Sequence, residues 1–164
     1  MVKTNSVDLE LPFAEAAILQ LRKEWIAEQR LDGIRAVLDD GRLRLPHTTL
    51  KPPGPLPEGW SQHILDGCLV GEVYFVFDVL MFNGTDVRMR PLHKRRKLLH
   101  SLTLPAWCRF TPCGKNIGEF LETVIHHGGS GIVLKNLTEP YGQGEWIKVD
   151  YPSLKWQPSE AASA

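Results

Sequence analysis

The run HILDGCLVGEVYFVFDVLMF, residues 63–82, constrains the fold more than any other part of the chain. It is the most apolar stretch, rich in β-branched and aromatic side chains, and Asp66-Gly67 and Gly71 punctuate it. Such side chains fit a pleated, half-buried surface, so the run predicts two strands, the second from about Val73 to Leu80. Upstream, RLDGIRAVLDDGRLRLP (30–46) predicts two more strands joined at Asp39-Asp40-Gly41, a strong hairpin signal. WCRF (107–110) reads as a short strand, and GIVLKN (131–136) and EWIKVD (145–150) as a closing pair around the loop LTEPYGQG.

Helical periods are fewer. FAEAAILQLRKEW (13–25) repeats apolar residues at helical spacing behind Pro12. PLHKRRKLLHSL (91–102) opens on a proline and aligns Leu92, Leu98, Leu99 and Leu102 on one side. NIGEFLETVIHH (116–127) is stopped by Gly128-Gly129. The segment PHTTLKPPGPLPEGW (46–60) holds five prolines and two glycines, which reads as a stiff surface loop. Strands outnumber helices and are joined mostly by turns, so the expected class is α+β, with antiparallel sheets flanked by helices. The 164 residues suit one domain, expected over 1–156, with QPSEAASA (157–164) a frayed end.

Composition excludes several classes. Nineteen basic residues balance nineteen acidic ones, which argues against a wholesale basic footprint. Cys68, Cys108 and Cys113 are odd in number and irregular in spacing, which suggests a reducing cytoplasm rather than a disulfide framework. Cys108 and Cys113 lack a second ligand pair for zinc and read as small apolar fillers. His126 and His127 read as a helix C-terminus favoured by the dipole, not as metal ligands. The N-terminus has no apolar core of a secretion signal, and no window approaches 18 apolar residues. The expectation is a cytoplasmic protein with no membrane contact.

Six short motifs follow in a fixed order: EQRLDGIR, ILDGCLVG, YFVFDVL, PLHKRRKLL, GGSGIVLKN and EWIKV. Together, from about Trp25 to Val149, they resemble the adenylation domain of ATP-dependent DNA ligases, within the covalent nucleotidyltransferase superfamily. The resemblance implies a reduced form of that ATP-grasp-like fold. In the family the first motif is Lys-x-Asp-Gly-x-Arg, and its lysine attacks the α-phosphate of ATP to form lysyl-AMP. That chemistry needs a neutral amine. Here the position is Arg30, whose guanidinium stays protonated and has no free lone pair, while Asp32, Gly33 and Arg35 match.

The same resemblance puts Arg35 toward the ribose and Phe77 under the adenine ring. Cys68 and Ser130 occupy positions where the family carries metal-organising glutamates, and magnesium prefers hard oxygen ligands over a thiol. Lys135 is kept; in the last motif Lys148 is kept and Asp150 replaces a second lysine. The inherited nucleotide set is therefore Arg30, Asp32, Gly33, Arg35, Asp66, Phe77, Lys135 and Lys148, with no catalytic residue. ATP or AMP is expected as a non-covalent ligand, no cofactor as a requirement, and magnesium is not expected. Also expected missing are the arginine-containing nucleotide-site motif, whose place the proline-rich loop takes, and the oligonucleotide-binding-fold domain of ligases.

Plainer readings stand beside these. Arg30 is either a phosphate contact or a strand arginine paired with Glu28 or Asp32. Asp32-Gly33 and Asp66-Gly67 are also turn dipeptides, Phe77 also suits a core, and strand lysines usually face solvent. The dense run Arg88, Arg90, His93, Lys94, Arg95, Arg96, Lys97 is either a solvated helix face or a nucleic-acid contact. Three functions follow. The first is a silent ligase-like domain that binds nucleotide or nucleic acid. The second is an interaction module, an inhibitor or accessory factor of a DNA-transfer or repair complex. The third is a working ligase with another nucleophile, such as Lys23.

Overall fold

The computed structural model describes residues 6–8, 24–144 and 146–150. The helix expected over 13–25 lies outside these residues except at its end, where Glu24 is in a turn and Trp25 starts a strand instead; the frayed end lies outside them. Among the described residues twelve strands form two sheets, and two α-helices pack on them. The first sheet runs in the order β1 (Ser6–Asp8), β12 (Trp146–Asp150), β11 (Gly131–Asn136), β2 (Trp25–Gln29), β10 (Cys113–Gly114). The second runs β5 (Thr49–Leu50), β4 (Arg42–Arg44), β3 (Ile34–Asp39), β6 (Ile64–Val70), β7 (Val73–Phe82), β8 (Thr85–Asp86), with β9 (Cys108–Phe110) also on β7. Most pairs are antiparallel, but β1 with β12 and β7 with β9 are parallel, so the sheets are mixed rather than purely antiparallel.

Each sheet buries one side against its own helix. In the first, Ala27, Ile132, Leu134 and Val149 pack on Ile117, Leu121 and Val124 of α2 (Ile117–His126). Asn116 caps that helix by accepting from the Glu119 N–H at 3.1 Å, and Gly128 follows it at φ 81°. In the second, Leu38, Leu65, Val76 and Val79 pack with Leu99 of α1 (Leu92–His100) and with Trp60 and Trp107. Cys108 joins this core as expected, whereas Cys113 is exposed.

The hairpin at Asp40-Gly41 forms with both residues at positive φ, 50° and 71°. Asp66-Gly67, by contrast, is no turn. Both residues lie inside β6, opposite β3 and β7. A Cβ on Gly67 would fall 2.2 Å from the Phe75 carbonyl oxygen and 2.8 Å from the Tyr74 ring. Glycine is thus required by close packing, and the Tyr74 hydroxyl uses that closeness to donate to the carbonyl of Ala36 or Leu65, at 2.8 and 3.1 Å.

His63 caps the far end of this core. Its Nδ1 accepts the Asn83 N–H at 3.1 Å and its ring stacks on Phe82 at 4.9 Å. Burial holds its pKa below the ordinary 6.5. The unfolded chain therefore binds the proton more readily. His63 contributes fully above the unfolded value, and that contribution is lost as pH falls through the lower folded one. Urea midpoints at successive pH values below 7 are expected to fall less steeply in a His63→Gln variant than in the parent.

Candidate functional site

The free sides of the two sheets face one another across a cleft of about 360 Å³. Strand alternation decides what lines it. From the first sheet come Glu28 and Arg30, Val133 and Lys135, and Trp146 and Lys148, each pair two residues apart at the end of β2 or on β11 and β12. Register aligns Glu28, Val133 and Lys148 as one row across three strands. From the second sheet come Arg35, Cys68 and Phe77, with Arg35 directly opposite Cys68. Thr111, between β9 and β10, closes one side; its Oγ1 is buried and has no hydrogen-bond partner among the described residues.

Charge and aromatic surface are concentrated together. Phe77 and Trp146 meet edge to face at 5.5 Å. The Lys135 ammonium lies 3.8 Å from one ring centre and 3.9 Å from the other, and the Arg35 guanidinium lies 4.9 Å from Trp146. These are cation–π distances. Lys135 is 2% exposed, not the solvent-facing strand lysine that sequence alone suggests. Its ammonium donates to Glu28 Oε2 at 2.8 Å, and Glu28 Oε1 takes a second cation, Arg96, at 3.2 Å.

Arg30 pairs with Asp150, not with Glu28 or Asp32. The two residues expected to depart from the motif pattern, Arg30 and Asp150, thus face each other. Arg35 is anchored by the fully buried Asp66, through Nη2 at 2.5 Å and Nε at 3.2 Å. The Tyr141 hydroxyl donates to the same carboxylate at 2.6 Å. Burial first, then the Asp66 charge, push the Tyr141 phenol well up, so it remains a donor. Asp66 therefore sits behind Arg35 and does not line the cleft; neither does Asp32, while Gly33 does. A Cβ on Gly33 would meet the Leu69 carbonyl at 2.4 Å, so its glycine serves packing.

Cys68 lines the cleft as a thiol pushed up by burial, then by Asp32 and Asp66. Ser130 stands outside it, with its hydroxyl buried and without a partner among the described residues. A divalent ion does not fit this donor set. The one carboxylate lining the cleft, Glu28, already carries two cations. A nucleotide fits better: two aromatic rings, a hydroxyl without a partner among the described residues, and an excess of cations, since Arg30, Arg35 and Lys135 are each paired with an acid while Lys148 has no ion-pair partner among the described residues.

The basic run divides. Arg95 is buried, against the expectation of an exposed contact, because its guanidinium forms a two-point pair with Asp78 at 2.8 and 3.0 Å. It also donates to the carbonyls of Arg90 and Glu139, at 2.6 and 3.0 Å. Arg96 likewise turns inward to Glu28. Arg88, paired with Asp86 at 3.2 Å, and Arg90, Lys94 and Lys97 remain exposed.

Glu28, Trp146, Thr111 and Tyr141 were not among the expected site residues. Alternation could have found two of them: Glu28 shares a face with Arg30, and Trp146 with Lys148. Thr111 and Tyr141 lie in connecting segments and carry no such signal.

Two facing sheets with this motif order define a nucleotidyltransferase-type domain. The comparisons identify which. Residues 68–149 match the family model described as ATP dependent DNA ligase domain. The chain is 32% identical over 136 residues to DNA ligase 4 of Saccharomyces cerevisiae, across 76% of this chain and 14% of that protein. It is 35% identical over 95 residues to DNA ligase 1 of Schizosaccharomyces pombe, across 48% and 12% respectively. The chain thus spans about one-seventh or less of these relatives.

Among solved structures, mycobacterial DNA ligase D complexed with ATP and MES superposes with a TM-score of 0.63 at 22% identity, covering 78% of this chain and 55% of that one. A Lig E DNA ligase gives 0.60 at 20%, covering 92% and 70%. At those identities the likeness is one of fold. The chain belongs to the ATP-dependent DNA ligase family, with the fold of its adenylation domain.

Proposed function

We propose that the chain is a ligase-like domain that holds an adenine nucleotide, ATP or AMP, without transferring it, and that works beside DNA or a DNA-processing complex in the cytoplasm. The observation that supports this most directly is the Arg30–Asp150 pair. A protonated guanidinium offers no lone pair for attack on phosphorus. Phe77 and Trp146 supply aromatic surface for the base, Arg35 lies on the ribose side, and Lys148 meets the phosphates, while Lys135 is held by Glu28. The exposed Arg90, Lys94 and Lys97 supply the nucleic-acid face.

Two measurements test the reading. Calorimetry with AMP at low salt is expected to show one site, weakened by Lys148→Ala; no heat with either AMP or ATP rejects nucleotide binding. Intact mass after incubation with ATP and magnesium is expected to be unchanged, in the parent and in Arg30→Lys. Restoring the amine alone leaves Cys68 and Ser130 where the family carries acids, so the metal still lacks support. One added AMP in the parent would show that transfer persists, and in Arg30→Lys that the metal positions were dispensable.

A further inference from the structure

A second cavity of about 420 Å³ lies beside the first, lined among others by His93 and Arg96 of α1 and by Cys113 and Lys115 at β10. The ion pair of Arg96 with Glu28 joins the two: Glu28 lines the first cavity and Arg96 the second. No carboxylate lines the second cavity. Arg96 is 12% exposed at its side chain and spends one nitrogen on Glu28 and another on the Cys113 sulfur, 3.1 Å away. Its guanidinium has five N–H donors, so capacity remains for an acceptor in the cavity. Lys115 is exposed and has no ion-pair partner among the described residues. The His93 ring is fixed at its Nδ1 by the Leu137 carbonyl, 3.0 Å away.

We propose that this cavity is a binding site for a phosphate group, separate from the nucleotide cleft. A planar guanidinium, an ammonium and an imidazole line this cavity together, and the one acid near them, Glu28, faces the other cavity behind Arg96. That set recognises a compact, multiply charged oxyanion. The volume exceeds what one phosphate fills and suits a phosphate carried on a small organic body. A phosphate monoester and a nucleic-acid terminus share this chemistry. The site does not require the first cleft to take a nucleotide.

The cysteines report on the two cavities separately, since Cys113 lines the second and Cys68 the first. The full chain is alkylated with neutral iodoacetamide, and each cysteine is quantified by peptide mass spectrometry. Inorganic phosphate, against chloride at equal ionic strength, is expected to slow modification of Cys113 several-fold. Lys115→Ala and Lys115→Gln are expected to abolish that protection, and Lys148→Ala in the first cleft to leave it intact. Equal Cys113 rates in phosphate and chloride overturn the proposal, as does protection that survives loss of Lys115 or disappears with Lys148. AMP, and a short single strand with or without its 5′-phosphate, then identify the source. Protection at lower concentration by AMP assigns a mononucleotide, and protection by the strand only when phosphorylated assigns a nucleic-acid end.

Discussion

Replacing Asp78 with alanine is expected to cost about 3–5 kcal/mol of stability, read as a urea midpoint lowered by roughly 1–3 M. Asp78 is 1% exposed and Arg95 3%, and the two form a planar two-point pair between β7 and α1. Removing the acid leaves a guanidinium in the core with only the two carbonyls of Arg90 and Glu139. A buried charge stripped of its partner is among the few single changes that cost this much. The acid also accepts the Val79 N–H at 2.8 Å, so a backbone donor is stranded as well. Asp78→Asn keeps part of that geometry and is expected to fall between the two. A midpoint within a few tenths molar of the parent would show that Arg95 finds water or another acceptor.

Glu28→Ala is expected to have a comparable effect, about 3–5 kcal/mol, because one carboxylate serves two cations. Lys135, 3% exposed at its side chain, has no other carboxylate within salt-bridge distance among the described residues. Here the diagnostic is a cycle rather than a single value. Buried ion pairs exchanged for apolar residues of similar size are often near neutral. Glu28→Leu with Lys135→Met is therefore expected to recover most of what Glu28→Ala loses, since Arg96 can turn to the cavity it lines. Urea unfolding of the single and double variants measures the coupling. Strict additivity would mean that Glu28 and Lys135 do not depend on each other.

These two clusters also mark the limit of what the chain reveals before folding. Strand positions were legible because β-branched and aromatic residues alternate over 64–70, 73–82 and 131–136, and because the hairpin dipeptide Asp40-Gly41 acts locally. The second helix was legible through the Gly128-Gly129 pair that stops it. Long-range pairing was not. Arg95 and Arg96 sit in a basic run that looks solvated, yet Asp78 and Glu28, 17 and 68 residues away, draw them inward.

Asp66-Gly67 misleads for a related reason. Its local preference is a turn, but Arg35 and Tyr141 hold the acid while the Tyr74 ring needs the missing side chain of the glycine. Motif order pointed to the family and named half of the residues that line the cleft. What it could not disclose was that Asp150 reaches Arg30, since that contact depends on how the end of β2 meets β12 through β11.

The apolar sides of the two sheets face away from each other, each against its own helix, and mainly polar and aromatic groups meet across the gap between them. The halves are thus joined by their least oily surfaces. A guest spanning Arg35 on one side and Lys148 on the other acts as mortar between two bricks. By mass action it firms the joint in proportion to its own occupancy, so that holding a ligand and holding a shape become the same act.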